Sequence, residues 1–149
     1  MRIPSTLLFA LLAAAAPSAA QSAQAKSMIA EVVATGSLIV PQVIFDAGSE
    51  APAASSDGAL EQLRAVLAEH DEWTFEVQVH TDDGGTAERD AALSMARAKA
   101  VVSWLTRRGI GASRLVPRGF GSTRPLRELP AGDASLVHDR LELRKLNEE

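Results

Sequence analysis

His80-Thr-Asp-Asp-Gly-Gly-Thr-Ala-Glu-Arg-Asp-Ala-Ala-Leu-Ser-Met-Ala-Arg97 is the stretch whose reading decides the fold. It opens at the end of a segment, Thr74 to His80, that alternates with period two. Phe75, Val77 and Val79 share one face and Glu76, Gln78 and His80 the other, the pattern of a half-buried strand. Gly84-Gly85 then breaks the chain into a turn. Thr86 is a suitable cap, and the spacing predicts a helix from about Ala87 to Arg108, stopped by Gly109.

Working outward, Leu60, Leu63, Val66 and Leu67 recur at helical spacing. They predict a helix over Asp57–Glu69, capped by Ser56 or Asp57. Leu38 to Phe45 is a β-branched, apolar strand candidate that Pro41 interrupts, and Asp46 to Gly58 reads as a loop. Two more strands are expected, at Arg114–Phe120 and Val137–Arg144. The long loop between them carries Gly119, Gly121, Pro125, Pro130 and Gly132. The order is βαβαββ. Helices between strands favour parallel neighbours, with the last strand antiparallel.

The first residues read differently. Arg2 precedes the apolar run Leu7 to Ala16, followed by small residues. That is the length of a signal-peptide core and well short of the roughly 20 residues of a spanning helix. The expected organisation is a signal peptide at 1–20, with Ala20 or Ala25 as the cleavage point, a flexible leader at 21–36 and one domain at 37–149. No transmembrane segment is expected in the mature chain. There are no cysteines, so disulfides, thiol chemistry and acylation on cysteine have no residue to use. Losing Arg2 with the signal peptide leaves 14 basic against 19 acidic side chains. That balance argues against nucleic acid as a partner.

On a helical wheel at about 100° per residue with Leu93 as zero, Ala100, Val101 and Trp104 lie within about 80°. Arg97 falls at about 40°, Asp90 near 60° and Ser94 near 100°, along one edge of this apolar arc, while Met95, Ala98, Lys99 and Val102 look elsewhere. A charge on a packing face must be paired or reach a cleft. Asp82, at the strand end, is the natural partner of Arg97. Two readings remain open: a structural ion pair from Arg97 to Asp82 or Asp90, or a small-ligand site. In the second, Arg97 takes a carboxylate bidentately and Asp82 an ammonium, as a zwitterionic amino acid would require.

Other chemistries fit less well. His80 with Asp82 and Asp83 has no second histidine at ligand spacing, since the others are His70 and His138. No nucleophile elbow is present, because Gly119-Phe-Gly-Ser122 has the wrong spacing. Asp82 and Asp83 are adjacent and point apart on an extended chain, unlike a glycosidase pair. No cofactor or metal is expected. Arg107, Arg108, Arg114, Arg118 and Arg124 are scattered and read as a solvated face.

His80-Thr-Asp82-x-x-Gly85, then Asp90-x-x-Leu93-Ser94-x-x-Arg97-Ala98-x-x-Val101, resembles the signature of OmpA-like domains, the peptidoglycan-binding modules of the Gram-negative periplasm. That signature runs H-T-D-x-x-G, then N-x-x-L-S-x-x-R-A-x-x-V. Phe45-Asp46-x-Gly48-Ser49, Leu105-x-x-x-Gly109-Ile110-x-x-x-Arg114-Leu115 and Gly119-Phe-Gly121-x-x-x-Pro125 agree with its flanking segments. The resemblance covers about residues 38 to 144.

It implies an α+β fold, a βαβαββ two-layer sandwich with a mixed sheet and helices packed on one face. It implies a non-catalytic module in the periplasm, associated with the cell wall or outer membrane. Such a module tethers itself, or an envelope protein partner, to peptidoglycan by holding the diaminopimelate of the stem peptide. Asp82 would take the ammonium and Arg97 the carboxylate, with Asp46, Thr81, Asp90, Leu93 and Ser94 completing or supporting the pocket. A rival is a degenerate domain that serves as a protein-interaction module, with Asp82–Arg97 as a structural ion pair.

This chain departs from the pattern. Asp90 replaces the helix asparagine. The closing N-R-R-V-E is His138-Asp139-Arg140-Leu141-Glu142, preceded by Ala134-Ser135 where G-R is usual, and Pro52 stands where leucine or isoleucine follows G-S-A.

Overall fold

Phe75, Val77 and Val79 put their side chains on one face of a strand, and that face is where the core forms. The computed structural model describes residues 18–124 and 139–146. The elements are α1 (Ala19–Thr35), β1 (Ser37–Ile39), α2 (Asp57–Glu69), β2 (Thr74–His80), α3 (Ala87–Thr106), β3 (Leu115–Gly121) and β4 (Arg140–Leu146), with single 3₁₀ turns at Ala54–Ser56 and Ala112–Arg114. This is the expected α+β order with one helix added in front. The loop expected around Pro125, Pro130 and Gly132, the Ala134–His138 departures and the apolar run near the start lie outside the described residues.

The sheet order is β1-β4-β2-β3. β2 and β3 run parallel, and β4 is antiparallel to both β1 and β2. The strands joined by helical connections therefore all point one way, as expected. However, β1 and β2 are not neighbours, because β4 inserts between them. The insertion places Leu141 opposite Val79 and Leu143 opposite Val77. All four are buried, together with Leu60, Leu63, Val66 and Leu67 of α2 and Val101 and Leu105 of α3. Each such side chain contributes on the order of 1.5–3 kcal/mol by leaving water. The opposite face of the sheet is polar: Gln78 sits across from Glu142 and His80 across from Arg140.

Three expectations need correction. The leader is helical from Ala19 to Thr35. Its Ala- and Gln-rich sequence favours helix without giving much apolar contrast. Ser18 and Gln21 form a reciprocal capping box, and Gly36 at φ 72° closes the far end. Met28 and Val32, four residues apart, then bury one stripe against the core. The first strand is only three residues long, because the chain turns at Pro41, where proline has no N–H for a ladder. Beyond it, Phe45 bridges Pro52. Ser56 precedes α2 but does not cap it. Its hydroxyl instead donates to Ile44 O at 3.1 Å and accepts from Ile44 N at 2.9 Å.

Candidate functional site

The strand–turn–helix unit folds as its sequence suggests. β2 covers Thr74–His80, Thr86 caps α3 by accepting from Arg89 N at 3.2 Å, and Glu88 and Asp90 lie in the first turn of the helix. Acids there are favoured by the helix dipole. The phase of α3 differs from expectation. Its buried residues are Asp90, Ser94, Arg97, Ala98, Val101 and Leu105, an arc centred about 90° from Leu93, close to Ser94. Leu93 and Trp104 lie at its margin, half-buried, and Ala98 is fully inside.

The reason is β3. A Cβ on Gly119 would stand 2.2 Å from Met95 N and 2.7 Å from Ser94 Oγ, and one on Gly121 would stand 2.8 Å from Ala91 N. No side chain fits between strand and helix there. The Ser94 hydroxyl, 0% exposed, accepts from Gly121 N and donates to Ala91 O, both at 2.9 Å. Ser94 thus sits near the centre of the packing face, with Asp90 and Arg97 buried on its Leu93 side.

Arg97 is 3% exposed. Its Nε donates to Ser49 O at 2.8 Å, Nη1 to Thr81 Oγ1 at 3.0 Å and Nη2 to Asp46 O at 3.0 Å. The guanidinium lies 4.9 Å from the centre of the Phe45 ring. Asp46 therefore contributes its carbonyl, and Thr81, wholly buried, its hydroxyl. A guanidinium has five N–H groups. Two of those on Arg97, one on each Nη, make no hydrogen bond among the described residues.

Burial lowers the pKa of Arg97, and the charges of Asp139, Asp83 and Asp90 oppose that effect. No carboxylate is within ion-pair distance of Arg97 among the described residues. A direct ion pair with Asp82 or Asp90 is therefore not formed. Asp82 is exposed. Its Oδ1 accepts from Gly84 N at 3.4 Å, and its own N–H donates to Asp139 Oδ1 at 3.1 Å. Asp83 Oδ2 accepts from Gly48 N at 3.0 Å, and Asp90 Oδ1 from Asp83 N at 3.3 Å.

Sequence reasoning missed the parts played by Asp139 and Asp83. Asp83 had a signal, its place next to Asp82. Asp139 lies 57 residues beyond Asp82 and arrives only through the pairing of β4 with β2. The scattered arginines are also not alike. Arg114 is half-buried and donates to Trp73 O, Leu67 O and His70 O at 2.9, 2.9 and 2.6 Å. It fastens the end of α2 rather than facing solvent.

His80 is 2% exposed, stacks on Phe120 at 5.2 Å and has no hydrogen-bond partner for either ring nitrogen among the described residues. Glu142 Oε2, at 3.8 Å from Nε2, is too far for a hydrogen bond. Burial, helped by the nearby charges of Arg140 and Arg124, lowers the His80 pKa to about 3. Among the described residues, no group of His, Cys, Asp and Glu has metal-holding geometry, and no helix is long and apolar enough to cross a membrane.

The sequence profile of the OmpA family matches residues 44–135. The peptidoglycan-associated lipoprotein of Mesorhizobium japonicum is 29% identical over 85 residues, 57% of this chain and 51% of that protein. The chain thus spans about half the length of that relative. A 90-residue stretch, 60% of this chain, is 31% identical to a segment covering 10% of the photosystem I P700 chlorophyll a apoprotein A2 of Gloeobacter violaceus. Among solved structures, the peptidoglycan-associated lipoprotein from Burkholderia pseudomallei is similar, with a TM-score of 0.58 and 28% identity, over 70% of this chain and 88% of that one.

Proposed function

This chain belongs to the OmpA family, and from that premise we propose that it binds peptidoglycan non-covalently in the cell envelope. The ligand is the diaminopimelate residue of the stem peptide. Its carboxylate takes the two remaining N–H groups of Arg97 and its ammonium lies against Asp82. Asp46 and Thr81 hold Arg97 in place, Asp90 and Ser94 shape the wall, and Leu93 borders it. Nothing in this reading makes or breaks a bond, and it needs no metal or cofactor. The chain is exported through a cleaved signal peptide and tethers itself, or an envelope protein partner, to the wall from the periplasm. The likeness to two peptidoglycan-associated lipoproteins supports peptidoglycan as the partner.

The observation that carries the reading is the state of Arg97. A buried guanidinium, held by three hydrogen bonds, keeps one N–H on each Nη without a partner among the described residues, the number that two carboxylate oxygens require. The same three bonds favour a second reading, a structural arginine in a protein-interaction module. Titration with diaminopimelate separates the two. Saturable amide shifts at Gly84, Asp90 and Arg97, lost in Asp82→Ala, are expected. An unchanged spectrum at millimolar ligand would leave the structural reading.

A further inference from the structure

Arg124 is held at two points while its charge stays unpaired. Its carbonyl accepts from Arg140 Nη2 at 2.9 Å, and its guanidinium lies 4.0 Å from the centre of the Phe120 ring. Phe120 in turn stacks on the buried His80 at 5.2 Å. A guanidinium resting on a ring keeps its N–H edge open to an acceptor. Arg124 is exposed, and its guanidinium makes no hydrogen bond or ion pair among the described residues. By contrast, Arg64, Arg118 and Arg140 each meet a glutamate, at 2.6, 3.3 and 3.5 Å. Arg108 makes a similar stack, 3.7 Å from the Trp104 ring, but beyond the far end of α3.

The place of the stack gives it a use. Gly119 and Gly121 lie against α3, so Phe120 between them points to the other face of the sheet, where His80 also lies. Arg97 comes from the α3 side. His80 is two residues before Asp82, and Asp139, the chain neighbour of Arg140, accepts from Asp82 N at 3.1 Å. The two cations thus approach the Asp82 end of β2 from opposite faces. One carboxylate of diaminopimelate engages only Arg97. The residue before diaminopimelate in the stem peptide is a glutamate joined through its side-chain carboxyl, which leaves its α-carboxylate free. That second anion, one residue along the ligand, is what a preorganised guanidinium on the other face can take.

Resting on the peptidoglycan reading above, we propose that Arg124 is a specificity-determining residue that binds the free α-carboxylate of the stem-peptide glutamate, with Phe120 as the positioning residue beneath it.

The test is calorimetric titration of the full chain with two synthetic stem tripeptides that differ only at this glutamate, free α-carboxylate against carboxamide. The acid is expected to bind about fivefold tighter at low salt, the upper end for an exposed pair, with the gap closing as salt is added. Arg124→Gln should bind both peptides alike, and Phe120→Leu, which keeps the charge and removes the ring, should narrow the gap. Arg89→Gln, at an exposed arginine in the first turn of α3, should keep it. Equal binding of the two peptides by the wild type overturns the role of Arg124 and leaves the peptidoglycan reading in place. A preference that survives Arg124→Gln, or is lost in Arg89→Gln, overturns the assignment to Arg124. A full preference in Phe120→Leu overturns the positioning role. Absence of binding by either peptide, with a native amide spectrum, overturns the peptidoglycan reading and this inference with it.

Discussion

Two arginines fasten opposite ends of β2, and they do it differently. Arg114 meets three main-chain carbonyls, Leu67 and His70 at the end of α2 and Trp73 just before the strand. A cation there satisfies carbonyls that a helix terminus leaves without partners. Arg97 also makes three bonds, to Asp46 O, Ser49 O and Thr81 Oγ1. The bond count is equal, but what remains is not. The N–H groups of Arg114 without a partner among the described residues are both on Nη1, where they cannot form a two-nitrogen fork. Those of Arg97 are one on each Nη, in a ring of acids. The two arginines thus differ in which donors the fold leaves over, and that difference is why binding is proposed for Arg97 and not for Arg114.

Gly119→Ala should be the strongest blow to this contrast. Its Cβ would meet Met95 N at 2.2 Å and Cα at 2.6 Å, both main chain, so α3 must move off β3 and carry Arg97 with it. Urea denaturation should show a loss at or above the roughly 1–3 kcal/mol usual for overpacking. Gly111→Ala, at the Arg114 end, meets only Arg114 Cδ at 3.6 Å and should change stability by less than about 0.5 kcal/mol. Equal effects would show that the close approach of α3 does not matter. Arg114→Ala ranks next. It leaves three carbonyls without their donor and should cost about 1–3 kcal/mol.

The third effect is electrostatic. His80 has a folded pKa of about 3, below its unfolded value of about 6.5. Between those limits the unfolded chain binds a proton that the folded chain does not. Stability therefore falls as pH drops below about 6.5, by at most about 1.4 kcal/mol per pH unit. His80→Phe should flatten that slope between pH 7 and 5. An unchanged slope in His80→Phe would mean that the buried ring is protonated as readily as in water.

The sequence made the strand–turn–helix unit legible because period-two alternation, Gly84-Gly85 and Thr86 act within a few residues of one another. The span of α2 was equally plain. The phase of α3 was not. A wheel weighted by hydrophobicity centres on Leu93 and Trp104, whereas the true centre faces Gly119 and Gly121, where Ser94 fits and leucine does not. Insertion of β4 between β1 and β2 depends on pairing across the whole chain, and it brings Asp139 to Asp82. Helix α1 was hidden because alanine, serine and glutamine give little periodic contrast, although Met28 and Val32 carry its packing. Of the two readings that spacing leaves open for Asp82 and Arg97, the direct ion pair is not formed, because the guanidinium bonds to Asp46 O, Ser49 O and Thr81 Oγ1 instead.

Co-sedimentation with purified sacculi tests the central claim most directly, with wild type, Asp82→Ala and Arg114→Ala compared at concentrations where all three are folded. The account predicts that wild type and Arg114→Ala sediment alike and that Asp82→Ala stays in solution. Sedimentation of Asp82→Ala equal to wild type, or failure of wild type to sediment, would contradict it.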